Sequence, residues 1–288
     1  MSSQARKSWP TLTTGHPFNW LSKQLLLVPE AVLLLVVLLF HVLLNGSLLT
    51  ALIGLALMLY LALRLSLLGM ARQAITTASY ARAEQVLAWL LRLYPYSADA
   101  YALQGATLLA RGQSEAAIMA FQRAIALFPA HPELHATLSA ALLDTGLFHE
   151  ARQAATQALE LDPRSASAYL QLAGIEEQLG KPVATIEMLL RSGLAVHPAP
   201  PDEAALRCAL IGLLLNQQRS HEARHMLTMI EPLLPACPAP QRADIHFYLG
   251  TLLNAIDAPE QARLHFEQST QLDPRGRHAA DAWRASKR

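Results

Sequence analysis

Charge is scarce in this chain. Asp, Glu, Lys and Arg make up 16% of its 288 residues, against roughly 25% in an ordinary soluble domain. The net charge of +1 excludes the global basic field on which nucleic-acid binding draws. Cysteine is scarcer still. Cys208 falls in a predicted helix and Cys237 in a proline-rich connector, and two unpatterned thiols make neither a disulfide framework nor a zinc site. Motifs of catalysis are missing as well, with no phosphate-binding glycine loop and no nucleophile elbow. His131 and His135, like His221 and His225, are four apart, a spacing that on a helix can hold a metal. His131, however, precedes its helix beside Pro132, and the second pair lacks a third ligand. Glu176 and Glu177 are adjacent, so they point to different helix faces and make a poor acid/base pair. The expectation is a protein that is not an enzyme and carries no cofactor and no metal.

The apolar residues, 52% of the chain, are concentrated. Leu25 to Leu44 reads LLLVPEAVLLLVVLLFHVLL, Asn45-Gly46-Ser47 follows, and Leu48 to Leu63 reads LLTALIGLALMLYLAL before Arg64. About twenty residues cross a bilayer core. The first run reaches that length only by including Pro29 and Glu30, the second only by running past Arg64. Paired by the Asn-Gly turn they predict a transmembrane helical hairpin over residues 25–70. Arg64 is expected to snorkel to the headgroups, level with Glu30 and within reach of a salt bridge. His41 is expected to face the partner helix or the far interface, and Trp9 and Trp20 to sit at the interface. A cleaved signal peptide fits poorly, because the basic region runs to Lys23 and no small-x-small site separates the two runs. Arg6, Lys7 and Lys23 precede the first run, the turn is uncharged, and Arg64, Arg72 and Arg82 follow the second before any acid. The excess of basic residues on both flanks predicts both ends in the cytoplasm.

Beyond the apolar segment the chain repeats. Prolines at 95, 129 and 163 stand 34 apart, a period in the range of helical-hairpin arrays. In Tyr101–Pro129, Tyr101, Gly105 and Leu108 share one face of a first helix, Gly112 breaks it, Ala117, Phe121 and Ala124 share one face of a second, and Pro129 ends it. Gly105 and Ala117 allow a close helix approach, and Phe121 fills the gap to the next pair. The pattern returns in His131–Pro163 with Leu138, Gly146, Ala151 and Ala158, where Ala155 replaces the aromatic and another side chain must fill that layer. It returns again in Ala166–Pro198, more weakly in Ala204–Pro235, and clearly in Ala243–Pro274 with Leu249, Gly250, Ala262 and Phe266. Tyr80–Pro95 reads as a lone second helix whose first helix continues from the apolar segment.

These residues resemble the tetratricopeptide repeat, of the membrane-anchored bacterial type, and an arginine-rich, lysine-poor usage fits a bacterial source. The resemblance implies an all-α protein: the two-helix hairpin followed by an α-solenoid, a right-handed superhelix with a concave groove. The expected organisation is a cytoplasmic N-terminal segment (1–24), the hairpin (25–70), the solenoid (71–275), and a capping helix with a basic tail (276–288). Trp283 is expected to pack back, and Arg284, Lys287 and Arg288 read as a solvated tail or as a contact for anionic lipid. The implied location is the cell inner membrane, crossed twice, with both termini cytoplasmic.

The resemblance further implies that the first helix of each pair lines the groove. Candidate peptide contacts are then Ala102, Ala106 and Leu109; Asp144; Leu170, Glu177 and Gln178; Asn216; and Phe247, Thr251 and Asn254, with Ala136, Ala140, Gly174, Cys208 and Gly212 on the same face. The lysine clamp that captures chaperone C-termini is absent from the matching positions. The asparagines can bond an extended backbone, and the shallow apolar wall suits a helix or an apolar peptide face. Two roles follow. One is a membrane-anchored scaffold that recruits partner proteins or helps assemble them. The other is an accessory or regulatory subunit of a membrane enzyme, bound through its hairpin, where Ala51, Gly54 and Ala56 offer a small-residue surface to other membrane helices. The bilayer and a protein are the expected partners.

Overall fold

A computed structural model describes residues 29–43 and 46–287, and these fall into two units divided between Leu65 and Ser66. Residues 1–24, with Trp9 and Trp20, lie outside the described part, as does the side chain of Glu30 and with it the expected Glu30–Arg64 bridge.

In the first unit, helix α1 (Pro29–Leu43) leads through a turn to α2 (Leu48–Thr76). Leucine is a strong helix former, and proline suits the first helical position, where no N–H partner is needed. Gly46 takes a φ of +74° in the turn, which glycine adopts without a Cβ penalty. Its N–H donates to the His41 carbonyl at 2.9 Å. His41 faces α2, with Nδ1 2.7 Å from Thr50 Oγ1.

Length separates the two helices. At 1.5 Å per residue the 29 residues of α2 reach about 44 Å, more than the roughly 30 Å hydrocarbon layer, whereas the 15 described residues of α1 reach about 22 Å. Among the described residues α2 is the one helix long and apolar enough to cross a membrane, and 11% of its most apolar window is buried. Two spans were expected, and the described helices supply one of that length. Arg64, near the end of the apolar run, is buried at 5% exposure.

The second unit is built of helix pairs. The C-terminal part of α2 pairs with α3 (Tyr80–Leu93). Then come α4 (Ala98–Ala110) with α5 (Ser114–Leu127), α6 (Pro132–Asp144) with α7 (Phe148–Leu161), and α8 (Ala166–Gln178) with α9 (Val183–Ala195). Next are α10 (Pro200–Asn216) with α11 (Ser220–Leu227), a short 3-10 helix (Glu231–Ala236), α12 (Ala239–Ala255) with α13 (Pro259–Leu272), and α14 (Ala279–Ser286). Serine caps the starts of two first helices. Ser97 Oγ accepts from the Ala100 N–H at 3.3 Å and Ser165 Oγ from the Ala168 N–H at 3.4 Å, each satisfying an otherwise orphaned donor.

Stacking follows from which side chains are small. Each of α5, α7 and α9 packs on the first helix of its own pair and on the first helix of the next, and the first helices α6, α8, α10 and α12 lie against one another. First helices crowded together with second helices spread outside give a surface concave on the first-helix side. Phe121 of α5 lies against Gly105 of α4, where a Cβ would stand 2.6 Å from its ring, and it clusters with Ala141 and Leu138 of α6. Phe266 repeats this against Gly250. Between them, Ser139 and Ala155 take the two places, and Leu142, Ile175, Leu138 and Leu172 fill the space around Ala155. Small on both sides, that pair lets the flanking leucines in. At the end of the chain α14 buries Ala282 and Ser286, while Trp283 is 56% exposed. The tryptophan therefore does not pack back, because the face that meets α13 carries the small residues instead.

Candidate protein-binding face

Asp273 follows α13 and starts a tight loop. Its carboxylate accepts from the Arg275 N–H at 3.3 Å, and the Gly276 N–H donates to its carbonyl at 3.3 Å. A Cβ on Gly276 would stand 2.4 Å from Asp273 Oδ2, so a larger residue there displaces the carboxylate that Tyr80 and the Arg275 N–H hold. The turn delivers Arg277 and His278 onto the first-helix side.

There the Arg277 N–H donates to the carbonyl of Ala110, the last residue of α4, at 2.9 Å. The guanidinium Nη2 lies 3.0 Å from Asp244 Oδ2 on α12, and Nη1 lies 3.8 Å from Asp144 Oδ2 at the end of α6. Asp144 also accepts from Ser114 Oγ at 3.3 Å. The His278 ring stacks on Phe247 at 4.4 Å between centroids and 6° between planes, and its Nε2 lies 3.3 Å from the Tyr248 hydroxyl. Tyr80, at the start of α3, donates its hydroxyl to Asp273. The end of the last repeat thus reaches the start of the first complete second helix.

Charge and burial shape this contact. Burial raises the Asp244 carboxyl above its ordinary value, with Arg277 opposing. Burial acts to lower the Arg277 pKa, but Asp244, Tyr248 and Asp144 together hold it raised. Burial pushes His278 down to about 4, and the adjacent Arg277 adds to this, so its ring is neutral near pH 7. Burial first, and the bond to Asp273 second, raise the Tyr80 phenol.

The expected peptide contacts are dispersed along this face. Asp144 and Phe247 meet the chain's own Arg277 and His278. Ala102, Ala106 and Leu109 are half-buried on α4, and Glu177, Gln178, Asn216, Thr251 and Asn254 are exposed. Thr251 Oγ1 donates to the Phe247 carbonyl at 3.0 Å. Leu170 packs against the apolar core that includes Leu206 and Leu210. Ala136 and Cys208, read as inward-facing, are instead buried in the stack, at 1% and 5% exposure. Sequence reasoning missed Tyr80, Asp244 and Arg277, since no local pattern joins Tyr80 to Asp273, 193 residues on, or Asp244 to Arg277 in the loop after the next helix. The hint that was present is the parallel between Asp162-Pro163-Arg164 and Asp273-Pro274-Arg275, which marks the second loop as a repeat boundary.

Neither histidine pair gathers a metal site. His135 Nε2 lies 2.8 Å from the Pro129 carbonyl, His131 packs edge-on to Phe128, and among the described residues no group of three or more His, Cys, Asp or Glu is placed to hold an ion. Burial raises the Cys208 thiol to about 12, which keeps it protonated and unreactive.

Comparison with known proteins agrees with the helix pairing. Two family sequence models described as tetratricopeptide repeat match residues 68–132 and 108–174. Among solved structures, pilF of Pseudomonas aeruginosa is similar at 16% identity and a TM-score of 0.51, covering 78% of this chain and 98% of that one. A thermophilic tetratricopeptide repeat protein of Thermus thermophilus is similar at 19% identity and a TM-score of 0.53, covering 66% and 97%. A chain of the APC/C hetero-tetramer Cut9-Hcn1 is similar at 14% identity and a TM-score of 0.56, covering 98% and 57%. At these identities the likeness is one of fold. No curated protein matches by sequence. Repeats of this family are protein-binding modules and generally non-catalytic. Residues 68–174 of the chain match the tetratricopeptide repeat, and such repeats imply a scaffold for protein–protein interaction.

Proposed function

We propose that this scaffold is anchored in a membrane by α2 and presents its repeats to protein partners on the cytoplasmic side. The observation that carries the reading is α2 itself. It is long enough to cross, and its apolar window is 11% buried, whereas a core helix of a soluble protein is mostly covered. Leu49, Leu52, Leu55, Met58 and Leu59 are all exposed. In water that surface is unfavourable by about 25 cal/mol per Å², and lipid removes the penalty. The basic residues Arg64, Arg72 and Arg82 at and beyond the end of the apolar run favour a cytoplasmic exit.

A second crossing through α1, which would return both termini to the cytoplasm, needs the residues before Pro29 to lengthen that helix. Alkaline carbonate extraction tests the anchor: the chain stays with the membrane pellet. Protease digestion of sealed inverted and right-side-out vesicles, read with tags at both ends, tests the topology. The C-terminal tag is cut only in inverted vesicles, and an N-terminal tag cut in the same vesicles reports two crossings. Release of the chain by carbonate would overturn the anchor. Recruitment through the repeats is the favoured role over an accessory subunit docked by its apolar helices. Gly54, the small residue expected to meet a foreign helix, is buried, and a Cβ there would stand 3.7 Å from Val37 of the chain's own α1.

A further inference from the structure

Arg277 and His278 make the contacts of a bound peptide rather than those of a packed core. The Arg277 N–H uses the terminal carbonyl of α4, an acceptor that a helix end leaves open to a backbone N–H and that carries the negative end of the helix dipole. The guanidinium lies between carboxylates from two first helices, Asp244 and Asp144, and the next ring lies flat on Phe247. Backbone, charge and planar stacking each meet a separate feature of the first-helix face.

The contacts of Asp273, Arg277 and His278 are polar or planar, whereas the helix that follows is docked by Ala282 and Ala285 against Leu253 and Phe266. The loop can therefore give up its place to an equivalent segment only while α14 stays docked and the loop itself shifts. Removing it leaves Asp244, whose carboxyl burial already disfavours in its charged form, without its counter-charge, so an incoming guanidinium is attracted to the place that Arg277 leaves.

We propose that this site binds a partner protein through a turn-forming segment bearing an arginine followed by a planar side chain, and that residues Asp273–His278 occupy it in the resting chain as an internal competitor. The proposal rests on the scaffold reading and deepens it, naming the chemistry of the partner segment and a way to regulate its access. Arginine is favoured over lysine because its planar fork reaches two carboxylates at once. A planar residue next to it is favoured because the Phe247 ring offers a flat face.

The test uses the full chain in detergent and a fluorescein-labelled peptide with the sequence of residues 273–280, read by fluorescence anisotropy. The unaltered chain binds the peptide weakly. The double variant Arg277→Ala with His278→Ala, which vacates the site, binds it at least tenfold more tightly. Adding Asp144→Asn and Asp244→Asn to that variant removes the gain, and so does replacing the second arginine of the peptide by alanine. Circular dichroism confirms that each variant keeps its helix content, and Asp144→Asn alone, at an exposed position, serves where the multiple variant does not fold. Equal affinity of the unaltered and vacated chains, or binding indifferent to the peptide arginine, would overturn the proposal. Light scattering that shows the vacated chain pairing through its own C-terminal segments would overturn it in favour of a second copy as occupant. If crosslinks to proteins persist at Glu177 and Asn216 while the peptide fails, the scaffold reading stands and this site falls. If those crosslinks are absent, it is the scaffold reading that falls.

Discussion

Gly105 and Phe121 form the closest helix approach in the first complete repeat, and their coupling can be worked out. A Cβ at residue 105 would lie 2.6, 2.7 and 2.8 Å from three atoms of the Phe121 ring, about 1 Å inside ordinary contact. The ring is 1% exposed, so it has no solvent side to yield into. Two terms then compete in Gly105→Ala. Helix propensity favours alanine by about 1 kcal/mol, while overpacking costs about 1–3 kcal/mol. The clash is expected to win, and the variant to unfold at lower temperature. Phe121→Ala alone should cost about 3–5 kcal/mol. The third repeat helix pair along the chain shows the alternative: Ser139 and Ala155 occupy the same two places, and both are buried. Gly105→Ser combined with Phe121→Ala copies that pair, so the serine no longer meets a ring. The double variant should be less destabilised than the sum of the singles Gly105→Ser and Phe121→Ala by about 1–3 kcal/mol. Urea titration of the purified chain, with hydrogen exchange of the α4 and α5 amides to localise the effect, measures all four corners of the cycle. Additivity within about 0.5 kcal/mol, or a Gly105→Ala chain that melts higher, would refute the packing argument.

Stability should also fall in mild acid. His246 and His265 face each other with Nδ1 atoms 2.8 Å apart. Burial lowers both, His246 to about 4 with His265 and Arg242 adding to it, His265 against the pull of Glu231. Their folded values lie below the ordinary histidine value near 6.5, so the unfolded chain binds the extra protons. Stability is complete above about 6.5 and is lost as pH falls toward 4. From His246 alone the loss between pH 7.5 and 5 is about 2 kcal/mol at 1.36 kcal/mol per unit. Thermal melts across that range check this, and His246→Gln should flatten the curve. Ser97→Ala removes the cap of α4 and should cost about 1 kcal/mol, seen as faster exchange of the Ala100 amide. Leu55→Lys places a charge in the apolar face of α2, an unfavourable change of about 2.5–3.5 kcal/mol near a membrane centre. The variant should appear in the carbonate-soluble fraction more than the unaltered chain does.

The repeat was legible because its signals are local. Proline at a fixed period, glycine at helix ends and small residues at crossings each act within one helix pair, and together they anticipated the pairing of α4 with α5 and of α12 with α13. The replacement of the aromatic by Ala155 was legible for the same reason, although which leucines and isoleucine fill the layer was not. The continuation of the second apolar run into the first repeat was legible from the pattern beyond Arg64, and α2 runs to Thr76. The pairing of two spans was not: Leu25–Leu44 and Leu48–Leu63 look alike in composition, but among the described residues α2 alone has the length and apolarity of a span. The inward face was half legible. Ala136 has the right periodicity for a groove yet is drawn into the stack between Ala158 and Ala168, because alanine is small enough to let the helices close over it. The contact of Arg277 with Asp244 and Ala110 depends on the curvature accumulated over the whole array, which no single repeat encodes.

The claim that everything else serves is that the first-helix side of the repeats receives a protein. Site-specific photo-crosslinkers placed in native membranes test it most directly. Glu177 and Asn216 report the first-helix side, and Met119 and Met188, exposed on second helices, report the outer side. The account predicts discrete protein adducts from Glu177 and Asn216 that are absent from Met119 and Met188. Adducts from the second-helix positions alone, or no protein adduct from either side, would contradict it.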